Sequence, residues 1–526
     1  MKILLLSMPD AAPPILHPSA IHMPALGIAS VAGNIDPGHE VRIADLVRKR
    51  SGIARYVTRV LQRFRPDLVG FSAMTWQYPT CVRLMRLVRE RCPTAKTVLG
   101  GYHATLMGEE VAEGPEAELL DFIVRGEGED ACRRLVNALD GQDRFEEIPS
   151  LSFKRDCRFV HNPRSAPLDL ETIKPPVRDR RRLTWGYHYV YMKMEVLETS
   201  RGCTRDCNFC SMRHMYGRTF RPYPVERVIA DLDDIVVRRR CRKVFIVDDN
   251  WVLNPRRVIE LCDAIIARRY RGLRLIVQAD CVSMARNEAM VKRMAEAGFV
   301  SVFLGIESAS PKNLAAARKG DIVSASQEAV AMCHRYGISV IGGLIFGFPD
   351  DDEEAIVRNY RFLNTVGTDA PYCQIMTPYP KTGMRRELME QGLVTNPDDF
   401  SRYNGLWANV RTRHLSTDEL QYLFWLHRQR ELDWWKPSSY AQRRGRGALW
   451  MAFWTRVMMP VLKRYHARVL RREGLRGRYK RELRRLTRMN RFPDLDPWGP
   501  DPFDEQTGRL DEEVTIGASA PAGGGS

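Results

Sequence analysis

The sequence lacks the features of an exported protein. Its first residues, MKILLLSMPD, read as a strand that is interrupted at Pro9, without the charged, apolar and small-residue regions of a secretory leader. Its 12 cysteines are scattered over 526 residues rather than spaced as a disulfide framework. We therefore expect a cytoplasmic protein with reduced thiols, some of which bind metal or take part in chemistry.

The sequence also lacks an apolar run long enough to cross a membrane. The longest candidate, ALWMAFWTRVMMPVL at 448–462, is shorter than the ~20 residues that a bilayer requires, and Arg456 and Pro460 interrupt it. The following segment, 463–491, contains 13 Lys or Arg and two Glu, in a chain of net charge +17. These features favour peripheral attachment to the inner face of an anionic membrane. The alternatives are a helix packed on the protein with a solvated basic face and, less favoured, nucleic-acid binding.

The pattern of apolar runs predicts several packed units, because the chain is too long for one ordinary core. Strand-like runs alternate with helical segments twice, first as a doubly wound α/β sheet and then as six β/α units of a partial barrel. The region after about residue 400 has a helical pattern and is rich in aromatic and basic residues. The last stretch is acidic and then consists of small and polar residues. The predicted units are 1–140 (doubly wound domain), 141–192 (linker with a hairpin in LSFKRDCRFVHN), 193–390 (barrel), 391–491 (helical region) and 492–526 (disordered tail).

Three cysteines are crowded into LETSRGCTRDCNFCSM, residues 197–212, directly after the first strand of the predicted barrel. Cys203, Cys207 and Cys210 have the spacing C-x3-C-x2-C. Three thiolates can bind three irons of a [4Fe–4S] cube and leave the fourth iron open. A structural zinc site, the alternative, normally requires four ligands, and no nearby Cys or His pair completes the set, although His214 follows closely.

This loop, with Phe209 before the last cysteine, resembles that of the radical S-adenosylmethionine (SAM) family. The resemblance covers roughly 193–390 and implies that the open iron and the other strand ends bind SAM. The residues that it implies for SAM are Asp248, Asp249, Gln278, Asp280 and Glu307, with the glycine-rich strand end GGLIFGFP at 342–349. Cys281 departs from the family, which often has an arginine there. For Asp249, capping the helix that begins near Pro255 is an equally weighted alternative.

The N-terminal unit lacks G-x-G-x-x-G after its first strand, so it does not carry the usual dinucleotide fingerprint. Because a radical-SAM-like barrel follows it, the unit resembles the cobalamin-binding domain of B12-dependent radical SAM enzymes. That resemblance places the cobalamin tail beside Ser72, Thr75, Gly100, Gly101, Gly126 and Glu127. The motif D-x-H-x-x-G is also missing, since IHMPALG lacks the required Asp. We therefore expect no histidine on cobalt, and expect His17, His22 and His103 to be solvent-facing or hydrogen-bonded.

The resemblance implies three cofactors, namely a [4Fe–4S] cluster, SAM and cobalamin, and an electron donor such as flavodoxin or ferredoxin. The leading hypothesis is a C-methyltransferase that acts on an unactivated carbon through a 5′-deoxyadenosyl radical and methylcobalamin. One alternative is a ring-forming cyclase of the Mg-protoporphyrin monomethyl ester type, and the other is a non-enzymatic cobalamin or redox sensor. No catalytic side chain is identified from sequence. A large apolar or lipid substrate is suggested by aromatic residues, whose other interpretation is ordinary core: Trp407, Phe424, Trp425, Trp434 and Trp435.

Overall fold

The computed structural model describes residues 1–10, 21–49, 51–141, 144–181, 187–189, 192–431 and 459–495. The strands are β1 (Lys2–Leu6), β2 (Ile21–His22), β3 (Glu40–Ala44), β4 (Leu68–Ser72), β5 (Lys96–Gly100), β6 (Phe122–Val124), β7 (Leu151–Arg155), β8 (Arg158–His161), β9 (His188–Tyr189), β10 (Met192–Lys193), β11 (Glu195–Leu197), β12 (Ser200–Arg201), β13 (Arg221–Pro222), β14 (Lys243–Ile246), β15 (Arg274–Ala279), β16 (Phe299–Glu307), β17 (Ser339–Phe346) and β18 (Ala370–Ile375).

The α-helices are α1 (Leu26–Asn34), α2 (Ile53–Phe64), α3 (Tyr78–Arg91), α4 (Tyr102–Glu113), α5 (Gly128–Leu139), α6 (Met212–Tyr216), α7 (Val225–Asp233), α8 (Pro255–Ala267), α9 (Cys281–Arg286), α10 (Glu288–Ala297), α11 (Pro311–Ala316), α12 (Val323–Arg335), α13 (Glu353–Val366), α14 (Gly383–Glu390), α15 (Thr417–Glu431) and α16 (Met459–Met489). The assigned range of α16 is interrupted at Gly474, whose φ is 65°. Short 3-10 turns precede α3 at Thr75–Gln77 and follow α14 at Phe400–Arg402.

The first sheet has the strand order β3-β1-β4-β5-β6-β7-β8. Its first five strands are parallel, and helices connect them, so the predicted doubly wound arrangement is confirmed. The strand order reverses between β1 and β4, and ligands of such sheets bind outside the carboxyl ends of the strands. The predicted hairpin is β7–β8, and it extends this sheet through antiparallel pairing of β7 with β6.

The second sheet has the order β11-β14-β15-β16-β17-β18, and all its neighbouring strands are parallel. Its apolar side chains are packed beneath the surrounding helices, and Val244, Leu275, Val302 and Val340 are completely buried. Such continuous apolar runs are typical of parallel strands that are covered on both faces. The predicted partial (β/α)6 barrel is therefore confirmed, and its carboxyl ends form the edge where side chains for chemistry converge.

The end of the described chain returns to the first sheet. Phe492 is buried in the core formed by β1, β4, α2 and α3. Asp494 accepts a hydrogen bond from Ala54 N at 2.8 Å. This bond supplies an acceptor to the start of α2, where Gly52 has no side chain to cap the helix. The prediction of a disordered tail from residue 492 is therefore wrong for 492–495.

Among the described residues, no helix is long and apolar enough to cross a membrane. The candidate membrane segment lies mostly outside these residues, since 448–458 is not described. The second half of α16 packs on the protein, because Leu486 and Met489 are buried beside Leu406.

Candidate cluster and cofactor sites

The three-cysteine loop follows the first strand of the barrel, as its sequence predicts. Cys203 is buried, and Cys207 and Cys210 are partly buried. The loop backbone is held by Cys210 N, which donates to Cys207 O at 3.1 Å, and by Asn208 N, which donates to Ala317 O at 3.0 Å. These bonds order the loop against the fourth β/α unit.

The donors around Cys203 fit an iron–sulfur cluster. Arg205 N lies 3.5 Å from Cys203 Sγ, and Asn250 Nδ2 lies 3.9 Å from the same sulfur. N–H groups directed at a ligand sulfur stabilise the thiolate and tune the cluster. Burial raises the pKa of Cys210 to about 12 and also raises the pKa values of Cys203 and Cys207. The thiols are thus neutral by themselves, and iron binding would release their protons.

Within the described ranges, no three His, Cys, Asp or Glu side chains are arranged to hold a single metal ion. Thiolates that bind separate corners of a cube lie farther apart than ligands that share one ion, so this result is compatible with a cluster on the three cysteines.

A cavity of about 290 Å³ opens beside the cluster loop. Cys207 borders it. The charged groups of its lining are four cationic side chains, Lys319 and three arginines, and two anionic ones, Asp206 and Asp280. Opposite charges at separate points of one cavity suit a zwitterionic ligand such as the amino-acid part of SAM. The complete lining is Thr204, Arg205, Asp206, Cys207, Arg218, Asp280, Cys281, Val282, Arg318, Lys319 and Ile322.

Asp248 lies at the end of β14, but its carboxylate is enclosed by protein donors. Thr199 N, Thr199 Oγ1 and Ser200 Oγ donate to it at 2.6–2.7 Å. Burial raises the pKa of Asp248 to about 7, against the effect of these hydrogen bonds. Asp248 thus holds the strand before the cluster loop, and its expected contact with SAM stays a prediction.

Asp249 is more accessible than Asp248. It accepts one hydrogen bond, from Gly202 N at 3.1 Å, and burial raises its pKa to about 6. The helix cap that the sequence left open for it is instead Asn254, which accepts from Arg257 N at the start of α8. The helix-cap interpretation of Asp249 is therefore wrong, and its carboxylate remains near the cluster loop.

Asp280 follows β15 and connects three groups at the cavity. It accepts from Ser283 N at the start of α9 (2.9 Å), from Asn250 Nδ2 (3.1 Å) and from Arg205 Nη2 (3.0 Å). Burial alone would raise the pKa of Asp280, but these donors outweigh it and lower the pKa. Gln278, two residues earlier, is half-buried, and its carbonyl oxygen accepts from Trp251 N.

Cys281, where related sequences often have arginine, places a buried thiol 3.6 Å from Gly305 O and lines the same cavity. Its small side chain leaves space that an arginine would occupy. The local contact at this position therefore differs from the one that the family resemblance implies.

Glu307 ends β16 in an unusual backbone conformation, with φ at +63°. This angle coincides with an irregularity in the pairing of β16 with β17. Its carboxylate lies 3.0 Å from Lys319 Nζ, and both side chains are largely buried. Burial alone would lower the pKa of Lys319, but Glu307 outweighs it and raises the pKa.

Sequence reasoning missed three polar residues at the cavity or the cluster loop: Arg205, Asn250 and Lys319. Arg205 and Asn250 lie directly beside predicted residues, and their polar side chains at a strand end were a signal that could have found them. Lys319 is separated from Glu307 by α11, so only the three-dimensional packing brings the two together.

The carboxyl edge of the first sheet is lined by small residues. Ser72 and Gly100 are paired at the ends of β4 and β5. Gly101 has φ +90°, and a Cβ there would lie 2.9 Å from Ala73 O, so only glycine fits. Gly126, at the end of β6, donates its N–H to Thr105 Oγ1 at 2.9 Å. The glycines keep side chains away from this edge, and the expected binding of the cobalamin tail there stays a prediction.

Thr75 and Glu127 differ from the other members of the expected cobalamin set. Thr75 is buried at the start of the turn before α3. Glu127 Oε1 accepts from Arg201 Nη1 at 2.8 Å, and Glu127 Oε2 accepts from Leu168 N at 2.9 Å. Both oxygens of Glu127 thus bind protein donors in an ionic contact between the two sheets, and its expected place beside the cobalamin tail stays a prediction.

The histidines behave differently from one another. His103 is buried and stacks on Tyr78 at 3.9 Å, and its Nδ1 has no hydrogen-bond partner among the described residues. Burial lowers the pKa of His103 to about 3, so the ring is neutral. The expectation of a solvent-facing or hydrogen-bonded ring is not met for His103. His22 Nδ1 lies 3.3 Å from His188 Nε2, and His17 is outside the described residues.

Tyr102 connects the edge of the first sheet with the cluster loop. It follows Gly101 directly, and its phenol lies within electrostatic range of Cys210, Asp249 and Tyr216. Burial raises the pKa of Tyr102, and these neighbours raise it further. The edge expected to bind cobalamin therefore faces the loop expected to bind the cluster.

The aromatic residues of the helical region are mainly core. Phe424 is buried against Phe346 and Tyr360, and Trp425 is buried beside Tyr479. Trp407 is half-buried beside Leu406 and the end of α16. Trp434 and Trp435 lie outside the described residues. For Phe424 and Trp425, the core interpretation is the correct one.

Comparison with known proteins agrees with this arrangement. The radical SAM superfamily model matches residues 197–363, and the B12-binding domain model matches residues 14–136. An uncharacterized methyltransferase of Pyrococcus horikoshii is 29% identical over 80% of this chain and 90% of its own length. The hopanoid C-3 methylase of Methylococcus capsulatus is 28% identical over 70% of each chain.

The anaerobic magnesium-protoporphyrin IX monomethyl ester cyclase of Cereibacter sphaeroides is 27% identical over 68% of this chain and 59% of its own length. Among solved structures, the radical SAM methyltransferase TsrM from Kitasatospora setae, with cobalamin and a [4Fe–4S] cluster bound, has a TM-score of 0.62 at 17% identity. That match covers 75% of this chain and 79% of TsrM. At this identity the likeness concerns the fold.

Proposed function

The chain belongs to the B12-dependent radical SAM enzymes, and we propose that it methylates an unactivated carbon of a large apolar substrate, such as a lipid. The observation that carries this proposal is the contact of α4, which follows the glycine-rich edge of the B12-binding domain, with α6, which follows the cluster loop: Thr105 Oγ1 lies 3.8 Å from Met215 Sδ. When bound, the cluster and SAM supply a carbon-centred radical and cobalamin supplies the methyl group, so both must face one substrate.

The side chains of this protein hold and orient these groups. Cys203, Cys207 and Cys210 bind the cluster, with Asn250 and the Arg205 N–H directed at Cys203. Lys319 and Asp280, which both line the cavity, bind the carboxylate and amino groups of SAM. Ser72, Gly100, Gly101 and Gly126 surround the tail of cobalamin.

The apolar substrate is supported by relatives rather than by aromatic residues of the helical region. The hopanoid C-3 methylase shares 70% of its length with this chain, and a hopanoid C-2 methylase of Rhodopseudomonas palustris is also similar. Between the two sheets, the half-buried side chains of Tyr102, Tyr216, Tyr372 and Tyr379 provide rings that can contact an apolar molecule.

Ring formation is the second candidate function, because the magnesium-protoporphyrin ester cyclase matches 68% of this chain. The match covers 59% of the length of the cyclase but 70% of the length of the hopanoid C-3 methylase. We therefore favour methyl transfer. The sensor alternative is not retained, since a radical SAM enzyme has a catalytic use for its cluster.

The test has two stages. Anaerobically reconstituted protein should bind cobalamin and cleave SAM to 5′-deoxyadenosine when dithionite is added. Mass spectrometry of lipid and pigment extracts from cells with and without the gene should then find a compound that gains one methyl group with deuterated methyl label from methionine. A product that instead loses hydrogen without gaining the label would favour the cyclase.

The proposal also requires an electron donor, and the surface beside the cluster loop suits an acidic one. Thr204 and Arg205 are the exposed part of the loop. Three arginines that are about half-exposed, Arg213, Arg218 and Arg318, lie 3.0–3.7 Å from the single carboxylate of Asp206. The excess of positive charge would attract a flavodoxin or ferredoxin.

A further inference from the structure

The two sheets are joined by a buried ionic cluster centred on Arg201, which lies two residues before Cys203. Arg201 Nη1 donates to Glu127 at 2.8 Å, Nη2 donates to Glu129 at 2.6 Å, and Nε donates to Glu198 at 2.9 Å. Glu127 and Glu129 flank the start of α5 in the B12-binding domain, whereas Glu198 belongs to the barrel. The side chain of Arg201 is only 5% exposed. We call Arg201 and these three glutamates the domain clamp.

A second buried link joins the two domains besides the domain clamp. The segment 177–181 hydrogen-bonds to Ala29 and Ile43 of the B12-binding domain. Its Arg178 and Arg181 pair with Asp231 and Glu195 of the barrel.

The domain clamp is the buried link beside the cluster loop, where the other contacts are weaker. Lys381 and Glu110 form an ion pair between half-exposed side chains, which contributes little to stability. Thr105 Oγ1 meets Met215 Sδ at 3.8 Å, a weak contact. By contrast, every N–H-bearing nitrogen of the Arg201 guanidinium binds a carboxylate, and the geometry of that group fixes their relative positions.

The charge balance makes Arg201 indispensable to the clamp. Three carboxylates converge there, and Arg221, 3.1 Å from Glu127, is the second cation. Burial alone would raise the pKa of Glu129, but Arg201 outweighs it and lowers the pKa. Without Arg201, three neighbouring carboxylates would share one arginine, and like charges would push α5 away from β12.

The clamp acts directly on the backbone that carries the cluster ligands. Thr199 and Ser200 are held by Asp248, and Gly202 donates to Asp249. β12 pairs with β13 through Ser200 and Arg201, and Gly202 packs closely against Thr219, where an added Cβ would lie 2.3 Å from the carbonyl oxygen. A displacement at Arg201 is therefore transmitted to Cys203 rather than absorbed by a flexible loop.

We propose that Arg201 is a positioning residue that fixes the B12-binding domain against the cluster loop, and so sets the separation of the two metal cofactors. This inference rests on the proposed function for its consequence, but the clamp itself belongs to the protein without cofactors. Both parts can be tested separately.

The first test uses hydrogen exchange on the cofactor-free full chain. R201Q should accelerate exchange of backbone amides both in β12 and at the start of α5, and E129Q should do the same from the other domain with the cluster loop unaltered. The control is R89Q, which removes an arginine paired with Asp121 inside the B12-binding domain; it should accelerate exchange around α3 and β5 only. Acceleration confined to β12 in R201Q, or the same two-domain response in R89Q, would overturn the clamp.

The second test uses the reconstituted protein. The reduced cluster and cobalt(II) cobalamin are both paramagnetic, so their dipolar coupling reports their separation. R201Q and E129Q should broaden or weaken that coupling at unchanged iron and cobalamin content, while 5′-deoxyadenosine formation with dithionite persists. An unaltered coupling in both variants contradicts the positioning role. Wild-type protein that binds no cobalamin would contradict the proposed function instead, and the exchange result would still decide the clamp.

Discussion

Lys319 Nζ lies 3.0 Å from Glu307 Oε1 within the barrel, where the lysine also borders the cavity beside Cys207. The positive φ of Glu307 aims its carboxylate at this lysine rather than along the strand. Because Glu307 raises the pKa of Lys319, the ammonium stays charged in spite of its burial. The pair thus keeps one fixed positive charge where the carboxylate of SAM is proposed to bind.

Lys319→Met should therefore weaken SAM binding. A hydrogen bond to a charged group contributes about 1.5–3 kcal/mol, which corresponds to roughly a 10–100-fold rise in Kd. Equilibrium dialysis with labelled SAM measures this Kd on protein that contains the cluster. Lys312→Met, on the exposed face of α11, is the matched control and should bind normally.

Removing Lys319 alone also leaves Glu307 as an unpaired buried carboxylate. In K319M, this carboxylate would repel the carboxylate of SAM. The double variant K319M/E307Q removes that repulsion, so it should bind SAM better than K319M but still more weakly than wild type. Full recovery in the double variant would mean that Lys319 only neutralises Glu307 and does not contact SAM.

Replacing any one of Cys203, Cys207 or Cys210 by Ala should abolish the [4Fe–4S] absorbance or all SAM cleavage, because two thiolates hold a cube poorly. Iron analysis and anaerobic absorbance spectra measure the first effect, and chromatography of 5′-deoxyadenosine measures the second. Cys241→Ala should keep its iron, since that buried thiol is directed at Lys243 O. Full reductive cleavage of SAM by any one of these three variants would refute the assignment of the cluster ligands.

The parts of the site that sequence predicted are those with local signals. Cys203, Cys207 and Cys210 are close in the chain, and the strand ends at Gly100 and Asp280 follow from alternating apolar runs. Lys319 has no such local signal, because its partner Glu307 lies on the other side of α11 in the chain.

Other misses involve partners still more distant in the chain. Glu127 matched a strand-end position, but its partner Arg201 is 74 residues away. Phe492 looked like the start of a disordered tail, and only packing against the first sheet orders it. Sequence spacing carries no information about such long-range pairing.

Asp248 predicts a pH dependence of stability. Its pKa is about 7 in the folded protein, whereas the ordinary value for an aspartate is 3.8. Folding therefore favours the protonated form. The resulting stabilisation is complete below pH 4 and is lost as the pH rises through about 7, at about 1.4 kcal/mol per pKa unit. Asp248→Asn cannot titrate, so the melting temperature of D248N relative to wild type should rise between pH 5 and pH 8.

This comparison is made on cluster-free protein, because iron binding would add its own pH dependence. A difference between D248N and wild type that stays constant with pH would show that the pKa of Asp248 is not raised in the folded protein.

The arginines around Asp206 predict which electron donors the enzyme accepts. Arg213→Glu removes one positive charge and adds a negative one beside the cluster loop, so reduction of the cluster by flavodoxin should slow about tenfold at low salt and less at high salt. Reduction by dithionite, a small molecule, should be unaffected. Arg335→Glu, near the amino end of β17 and thus at the opposite end of the barrel, should not slow either reaction.

Equal slowing with flavodoxin and dithionite in R213E would indicate damage to the cluster rather than loss of docking. Unchanged flavodoxin kinetics in R213E would place the electron donor on another surface. Stopped-flow absorbance at the cluster band distinguishes these results without any knowledge of the substrate.

The last prediction concerns membrane attachment through α16. Leu483, Leu486 and Met489 are buried, while Arg481, Arg484 and Arg488 are exposed on the other side of the helix. The apolar face is thus already covered by protein, and the basic face can attract anionic lipid at about 1 kcal/mol per charge near the surface. The triple variant R481Q/R484Q/R488Q should float less with anionic liposomes at low salt than wild type does.

A truncation near residue 440 is a poor substitute for this variant, because it removes buried Phe492. Triple substitution of exposed arginines on the barrel helices, R256Q/R286Q/R335Q, controls for net charge, and equal flotation of both triple variants would exclude a specific role for α16.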